Sequence, residues 1–232
     1  MQVHVTSDAF DKRRFRNAVL VDVFRSSSTI ITALTNGATA VIPFTNIRKA
    51  ISAYNASKQK AVLAGERDGI TPSEFHYNIS PSDMTQDNIS GKTILYSSTN
   101  LTRILGKLRR TSVLVIGGII NAESAANYLR NLDRDTAIVA CGTREGPTIE
   151  DIAGGGAIAS YMKDVDFSDE ALAAVGLYKS TGWQGLVKRG RIARRLANLG
   201  FEQDMEFCLS PNLSSVVPGL IGNRIVTLNG PD

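Results

Sequence analysis

The 232-residue sequence contains few of the residues that build disulfide frameworks or histidine-rich metal centres. Its two cysteines, Cys141 and Cys208, are too few for a disulfide scaffold, and its two histidines, His4 and His76, are too few for a zinc triad. No segment approaches the roughly 20 consecutive apolar residues of a transmembrane helix. The first residues also lack the basic and apolar regions of a secretory signal. We therefore expect a cytoplasmic protein with reduced thiols and no membrane association.

The overall composition is typical of a globular domain, with 43% hydrophobic and 21% charged residues. Domains usually run to about 100–200 residues, so a chain of this length supports one sizeable core. We predict a single domain over residues 1–232. The net charge of +4 would favour the approach of a small polyanion.

Two clusters of basic residues resemble nucleic-acid-binding surfaces in charge alone. They lack interleaved aromatic residues and any motif of DNA or RNA recognition, so we predict solvated helix faces and no nucleic-acid partner. The clusters contain Lys12, Arg13, Arg14 and Arg16, and Lys188, Arg189, Arg191, Arg194 and Arg195.

Short apolar runs alternate along the chain with segments of helical periodicity. This alternation is typical of α/β proteins in which right-handed crossovers join parallel strands. We predict a three-layer α/β/α sandwich with a mostly parallel sheet. The predicted strands are 18–23, 40–43, 61–64, 93–96, 113–116, 137–140 and 224–228, and the predicted helices are 26–36, 47–57, 122–132, 157–162, 170–178 and 190–199. Residues 65–92 show neither period, and we expect them to form a lid or rim.

Four polar clusters, at residues 22–29, 65–67, 97–103 and 141–143, directly follow predicted strands. The carboxyl ends of the strands in an open α/β sheet border the ligand crevice, so these clusters indicate one shared anion-binding site. Asp22 ends a buried strand, where a carboxylate is costly unless it is paired, hydrogen-bonded or bound to a metal. It either pairs with Arg25, or binds Mg²⁺ while Arg25 holds an anion.

Three other patterns argue against familiar alternatives. Cysteine phosphatases carry an arginine six positions after the nucleophile, but Pro147 stands six positions after Cys141. Haloacid-dehalogenase enzymes carry a second aspartate two positions after the first, but Phe24 stands there after Asp22. The glycines at 154 and 156 match a dinucleotide fingerprint, yet they lie in a helical stretch, which favours close helix packing.

In their order along the chain, these clusters resemble the 2-phosphosulfolactate phosphatase family, Mg²⁺-dependent enzymes of coenzyme M biosynthesis. The resemblance implies an α/β/α sandwich, a homodimer, and hydrolysis of phosphosulfolactate to sulfolactate and inorganic phosphate. It covers nearly the whole chain and is carried by residues 19–25, 29, 36–38, 65–67, 78–81, 99–103, 141–143, 150–151 and 204–208.

The resemblance and the residue chemistry together imply a set of roles. Mg²⁺ would be held by Asp22, Glu66 or Asp151. Arg25, Arg67 and Arg103 would divide between the phosphate and the other anionic groups of the substrate. Attack by water and a phosphoenzyme on Asp22 both remain open. The further expected substrate contacts are Ser26, Ser28, Thr99, Asn100, Cys141, Gly142 and Thr143.

Two alternative functions remain open at this stage. One is a phosphatase for another small phosphorylated acid. The other is a non-catalytic anion-binding homologue, which is favoured by Leu101 at a position where the resemblance predicts glycine. Ile79 and the 26–28 serines depart from the family pattern as well, and all three departures lie in the expected pocket.

Overall fold

The computed structural model describes residues 1–7, 15–57, 60–108 and 111–228. Its strands are β1 (Gln2–Thr6), β2 (Asn17–Val21), β3 (Ala40–Pro43), β4 (Ala61–Gly65), β5 (Thr93–Ser97), β6 (Val113–Gly117), β7 (Thr136–Ala140), β8 (Asp166–Phe167), β9 (Pro218–Ile221) and β10 (Arg224–Thr227). Its α-helices are α1 (Ser26–Thr35), α2 (Ile47–Ala56), α3 (Gln86–Ile89), α4 (Leu101–Leu108), α5 (Ala122–Asn131), α6 (Ile149–Ser160), α7 (Asp169–Lys179), α8 (Trp183–Lys188), α9 (Arg191–Asn198) and α10 (Glu202–Cys208). None of these helices is both long and apolar enough to cross a bilayer.

The strands form one sheet in the order β4-β5-β3-β10-β9-β6-β2-β7-β1-β8. The first three strands form one parallel block, and the last five form a second parallel block. The hairpin of β9 and β10 joins the blocks through antiparallel pairings. A single, mostly parallel sheet with flanking helices confirms the predicted α/β class.

Three successive antiparallel pairings, through β10 and β9, make the strands of the first block antiparallel to those of the second block. Twist counteracts this reversal, because neighbouring strands rotate by roughly 20–25° and the steps from β5 to β2 add up to about 100–125°. The carboxyl ends of β2 and β4 consequently meet, since Asp22 and Glu66 line the same cavity. The predicted convergence of strand ends is therefore reached across a mixed sheet.

Helices α1 and α4 lie between the two blocks, in the larger of the apolar cores. The buried residues of this core include Leu20, Ile30, Ile94, Leu105 and Ile116. On the other face of the second block, α5, α6 and α7 pack against the alternate strand residues, and α2 covers the outer face of the first block. Both faces of each block are buried, which explains why the strands are continuous apolar runs in the sequence.

Several elements lie outside the predicted boundaries. The sequence prediction omitted β1, β8, β9, α3, α8 and α10. For α6 it gave bounds only to residues 157–162 of a helical stretch that it opened at Glu150 and Asp151, and the helix runs from Ile149 to Ser160. Three successive glycines lower the helix propensity of residues 154–156, but they do not interrupt α6. Of the first basic cluster, Lys12, Arg13 and Arg14 lie outside the described residues.

Candidate active site

Loops that leave β2, β4, β5 and β7 surround one small cavity. Asp22, Glu66, Thr99 and Thr143 line it, one from each loop. Its volume is about 80 Å³, well below the roughly 300–1,000 Å³ of pockets for drug-sized ligands. The cavity therefore suits a small, compact ligand.

Asp22 is held at the floor of this cavity by the first turn of α1. Its amide donates a 2.9 Å hydrogen bond to Oγ of Ser27, and the Ser27 amide donates a 2.8 Å hydrogen bond to the carbonyl oxygen of Asp22. Burial raises the pKa of Asp22 well above its usual value, and the nearby Asp151 carboxylate raises this pKa further. The Ser26 hydroxyl acts in the opposite direction. A cation beside Asp22 would stabilise its charged form.

Asp151, in the first turn of α6, connects the loops that follow β2 and β7. The Val23 amide donates to Oδ1 at 2.8 Å, and the Gly142 amide donates to Oδ2 at 2.9 Å. Burial raises the pKa of Asp151 to about 6, although these two amides lower it. The carboxylate thus fixes the backbone on both sides of Asp22.

Glu66 has the same role for the loops that follow β4 and β5. Its Oε1 accepts a 2.6 Å hydrogen bond from the Thr99 amide. Its Oε2 accepts hydrogen bonds from the Gly69 amide at 2.7 Å and from the Thr99 hydroxyl at 3.1 Å. The predicted metal ligands Glu66 and Asp151 therefore both bind backbone amides.

The carboxylates near Asp22 bear on whether the site can hold Mg²⁺. Among the described residues, no group of three or more His, Cys, Asp or Glu side chains is arranged to hold a metal ion. Mg²⁺, however, keeps several water ligands and often takes only one or two protein carboxylates. The residues therefore fit an ion bound through Asp22 and water, with Glu66 and Asp151 as neighbouring negative charges.

Arg25 lines the cavity, but most of its guanidinium is engaged by the protein. Nη1 donates to Asp204 at 2.7 Å, and Nη2 donates to Asn78 at 2.8 Å. The group also lies 3.8 Å from the ring centroid of Phe201. Its buried Nε has no hydrogen-bond partner among the described residues. Arg25 therefore combines a structural ion pair with an Nε–H that no described residue accepts.

The two other predicted arginines differ from each other. Arg67 does not line the cavity, because its guanidinium donates to the carbonyl oxygens of Glu66 and Thr45 and to the Ser97 hydroxyl. Arg103 lies close enough to lower the pKa of the Cys141 thiol, although burial raises that pKa overall. Its buried Nε has no partner among the described residues. Arg103 does not line the cavity either. It differs from Arg67 in that its Nε–H has no acceptor among the described residues, whereas the Arg67 guanidinium donates to three protein oxygens.

The predicted small polar residues are divided between the cavity and the structure around it. Ser26, Thr99, Asn100 and Thr143 line the cavity. The Ser28 hydroxyl instead donates to the carbonyl oxygen of Val23 at 3.2 Å. The amide of Cys141 donates to the carbonyl oxygen of Val21, and that of Gly142 donates to Asp151. These last three residues shape the loops around Asp22.

Sequence reasoning did not assign several residues to the site. Arg195 of α9 lines the cavity, and its Nη2 donates to the carbonyl oxygen of Asp68 on the rim. Its place in a basic cluster was the available signal. Tyr96 and Ser98 carry buried hydroxyls that meet no hydrogen-bond geometry with the described residues, although the Ser26 and Ser98 hydroxyls lie close enough to act on the pKa of Tyr96. Ser98 belongs to the predicted 97–103 cluster, whereas the sequence marked Tyr96 only as a residue of a predicted strand.

The sheet and the cavity define an α/β enzyme whose site is built for a small anionic ligand. A model of the 2-phosphosulpholactate phosphatase family matches residues 4–223 of the chain. The chain belongs to this family, as the order of its motifs predicted, and is therefore placed among the phosphoric monoester hydrolases.

Curated relatives agree with the family match. The chain is 34% identical over 218 residues to a protein of Thermotoga maritima, covering 93% of this chain and 94% of the relative. It is 37% identical over 203 residues to a protein of Carboxydothermus hydrogenoformans, covering 86% and 84%. It is 30% identical over 229 residues to a protein of Clostridium acetobutylicum, covering 96% and 97%. Each of the three is named "Probable 2-phosphosulfolactate phosphatase".

Proposed function

We propose that the protein hydrolyses 2-phosphosulfolactate to sulfolactate and inorganic phosphate in a Mg²⁺-dependent reaction. The family match and the names of the relatives support the substrate. The structural observation that carries the proposal is Asp22, buried beside other carboxylates and facing a small cavity. Membership of coenzyme M biosynthesis and a cytoplasmic location belong to the same proposal.

The anionic groups of this substrate need cationic partners. Arg103 and Arg25 each carry a buried Nε–H without an acceptor in the described parts of the chain, and Arg195 adds a positive charge at the rim. Guanidinium groups suit phosphate, sulfonate and carboxylate because their N–H groups match pairs of oxygen atoms. We assign an inner anionic group to Arg25 and an outer group to Arg195, because both arginines line the cavity. Arg103 lies outside the lining and adds positive charge near Cys141.

Asp22 would hold the metal ion, and Asp151 and Glu66 would keep the surrounding loops in place. When bound, Mg²⁺ supplies charge neutralisation at the phosphoryl group and makes bound water more acidic. In the reaction, an oxygen from water forms a new bond to phosphorus, the ester P–O bond breaks, and the leaving oxygen takes a proton. The Ser26 hydroxyl lies beside Asp22 and can orient its carboxylate.

The test is phosphate release by the purified protein from 2-phosphosulfolactate and from a panel of phosphorylated hydroxy acids, with Mg²⁺ and with EDTA. We expect release that is strongest on 2-phosphosulfolactate, lost in EDTA, and lost in Asp22→Asn while the circular dichroism spectrum is retained. If phosphate release is strongest from another phosphorylated acid of the panel, that acid replaces 2-phosphosulfolactate as the proposed substrate. Unchanged activity of Asp22→Asn would remove Asp22 from the reaction.

Two arginine variants provide a matched comparison. Arg103→Ala should raise KM at least ten-fold and leave the thermal midpoint nearly unchanged, because its Nε has no protein partner. Arg67→Ala should lower the thermal midpoint with a smaller change in KM, because its guanidinium joins the ends of β4 and β5 to Thr45. If Arg67→Ala instead gave the larger rise in KM and Arg103→Ala the larger fall in thermal midpoint, Arg67 would be the anion-binding residue and Arg103 the structural one.

Leu101, which favoured the non-catalytic alternative, does not obstruct the cavity. Leu101 is fully buried in the main core at the start of α4 and does not line the cavity. Its side chain therefore leaves the cavity open. Ile79 and Ser26 do line the cavity, so these are the departures that bear on which phosphorylated acid is accepted.

The proposal includes a homodimer, which the family resemblance implies. Sedimentation equilibrium of the purified chain would test it. A mass near 50 kDa, about twice the 25.0 kDa of one chain, supports the dimer, and a mass of one chain at all concentrations contradicts it.

A further inference from the structure

A second groove lies apart from the candidate active site, between the start of α6 and the α8–α9 segment. Its volume is about 720 Å³, which is within the roughly 300–1,000 Å³ range of sites for small organic ligands. It is lined by four basic residues, Lys188, Arg189, Arg191 and Arg194. The groove is much larger than the active-site cavity and can admit ligands that the cavity cannot.

Two buried side chains at the floor of the groove carry polar atoms without partners. Thr148 and Glu150 line the groove and are 5% and 3% exposed. By distance and angle, Thr148 Oγ1 and Glu150 Oε2 have no hydrogen-bond partner among the described residues, although the Thr148 hydroxyl lies close enough to lower the pKa of Glu150 and of Asp151. Buried polar atoms are normally paired, and leaving them unpaired is unfavourable. These atoms therefore indicate a ligand with hydroxyl groups, because a carboxyl group can bind a hydroxyl in either protonation state.

The positive charge at the rim of the groove is only partly neutralised by the protein. Lys188 pairs with Glu206, and Arg191 pairs with Glu145. Arg189 and Arg194 are exposed, and neither has an ion pair within the described parts of the chain. Two unpaired guanidinium groups beside a polar floor suit a phosphate group attached to a polyhydroxyl body.

We propose that this groove binds a phosphorylated sugar or a mononucleotide. Arg189 and Arg194 bind its phosphate, and the sugar hydroxyls bind Thr148 and Glu150. The site goes beyond the proposed phosphatase function, since it requires no reaction.

Arg191 connects the groove with the active site. Its Nη2 donates a 2.6 Å hydrogen bond to the Thr143 hydroxyl, and Thr143 lines the active-site cavity. The same residue lines the groove. A ligand that draws Arg191 toward its phosphate therefore weakens the contact with Thr143, which gives the groove a route to influence the neighbouring site.

Isothermal titration calorimetry of the full chain with ribose 5-phosphate and with adenosine 5′-monophosphate tests the proposal. We expect one saturable site per chain. Binding should weaken at least ten-fold in the Arg189→Ala, Arg194→Ala double variant, in which both altered residues are exposed. It should remain unchanged in Arg134→Ala, an exposed arginine before β7 that serves as the control. Thr148→Val should weaken ribose 5-phosphate several-fold, but not inorganic phosphate, because it removes only a hydroxyl.

The outcomes separate this proposal from the phosphatase proposal. Asp22→Asn should bind both ligands as the unaltered chain does, whether or not the chain hydrolyses 2-phosphosulfolactate. Absence of binding, or an equal loss in Arg134→Ala, would overturn the groove site. Tighter binding of a twelve-nucleotide oligothymidylate, lost in the double variant, would assign the groove to nucleic acid and would also overturn it.

Discussion

Nη1 of Arg25 donates a 2.7 Å hydrogen bond to Oδ2 of Asp204, which follows 179 positions later in the chain. Both side chains are buried, at 1% and 5% exposure. The other carboxylate oxygen accepts a 2.6 Å hydrogen bond from the Ser80 hydroxyl. One ion pair thus joins the loop after β2, the rim and α10 at the edge of the active-site cavity.

Removal of Asp204 should therefore be costly. Asp204→Ala leaves the Arg25 charge buried without its partner, and we expect a loss of about 3–5 kcal/mol in the free energy of unfolding. Urea denaturation measures this loss. The control is Glu206→Ala, which breaks the more exposed pair with Lys188 and should cost at most about 1 kcal/mol. Equal losses in the two variants would mean that the buried pair contributes no more than the surface pair.

Asp151→Asn tests whether Asp151 positions the backbone or binds the metal. An amide nitrogen cannot accept the hydrogen bond from Val23 or from Gly142, so one bond is lost, at a cost of about 1–3 kcal/mol. We expect hydrogen exchange to accelerate about ten-fold at whichever of the two amides loses its acceptor, since 1.4 kcal/mol corresponds to a factor of ten. The affinity for Mg²⁺ should change little. Asp169→Asn, an exposed first-turn acid of α7, is the control. Unchanged exchange with lost Mg²⁺ affinity would make Asp151 a ligand.

Gly156 lies where α6 and α7 touch. A Cβ atom added there would stand 2.0 Å from the carbonyl oxygen of Ala174, and backbone cannot easily give way. We expect Gly156→Ala to lose at least about 3 kcal/mol of stability, in the range of severe overpacking. Gly176→Ala, in α7 with open space around it, should gain up to about 1 kcal/mol. Thermal denaturation distinguishes the two, and a tolerated Gly156→Ala would refute the close contact.

Burial should keep Cys208 unreactive in the native protein. It raises the pKa of this thiol to about 12, above the value near 8.5 of an unfolded chain. We expect no alkylation by iodoacetamide at pH 8.5 until urea unfolds the chain. The raised pKa of Cys208 also makes the free energy of unfolding depend on pH. Its stabilising contribution is complete below about pH 8.5 and is lost as the pH rises toward 12. Cys208→Ala should therefore lose less stability than the unaltered chain between about pH 9 and 11. Rapid labelling of folded protein would contradict this expectation.

The doubly buried strands were the most predictable part of the fold. Residues 18–21 form a continuous apolar run because both faces of β2 are covered, and residues of the polar cluster that follows line the cavity. The hairpin of β9 and β10 was only half predicted. Pro218 and Gly219 disfavour strand structure locally, and their pairing with β6 depends on residues more than a hundred positions away.

The sequence predicted which residue types form the site, but not what their side chains contact. The sequence placed Arg67 and Arg103 after neighbouring strands in the same way. Which guanidinium is engaged by the protein depends on local acceptors such as the Thr45 carbonyl, and a motif does not contain that information. Arg195 reaches the cavity from α9, which does not directly follow a strand, so its role required the three-dimensional structure.

The hairpin also sets an order of events during synthesis. Residues 218–227 follow in the chain all the strands that they connect. As the chain grows from its amino end, the strands bearing Asp22 and Glu66 emerge as two unconnected half-sheets, each with an unpaired edge at β6 or β3. Such edges can pair with other chains. The nascent protein is therefore most exposed to misassembly just before the ribosome releases its last hairpin strand.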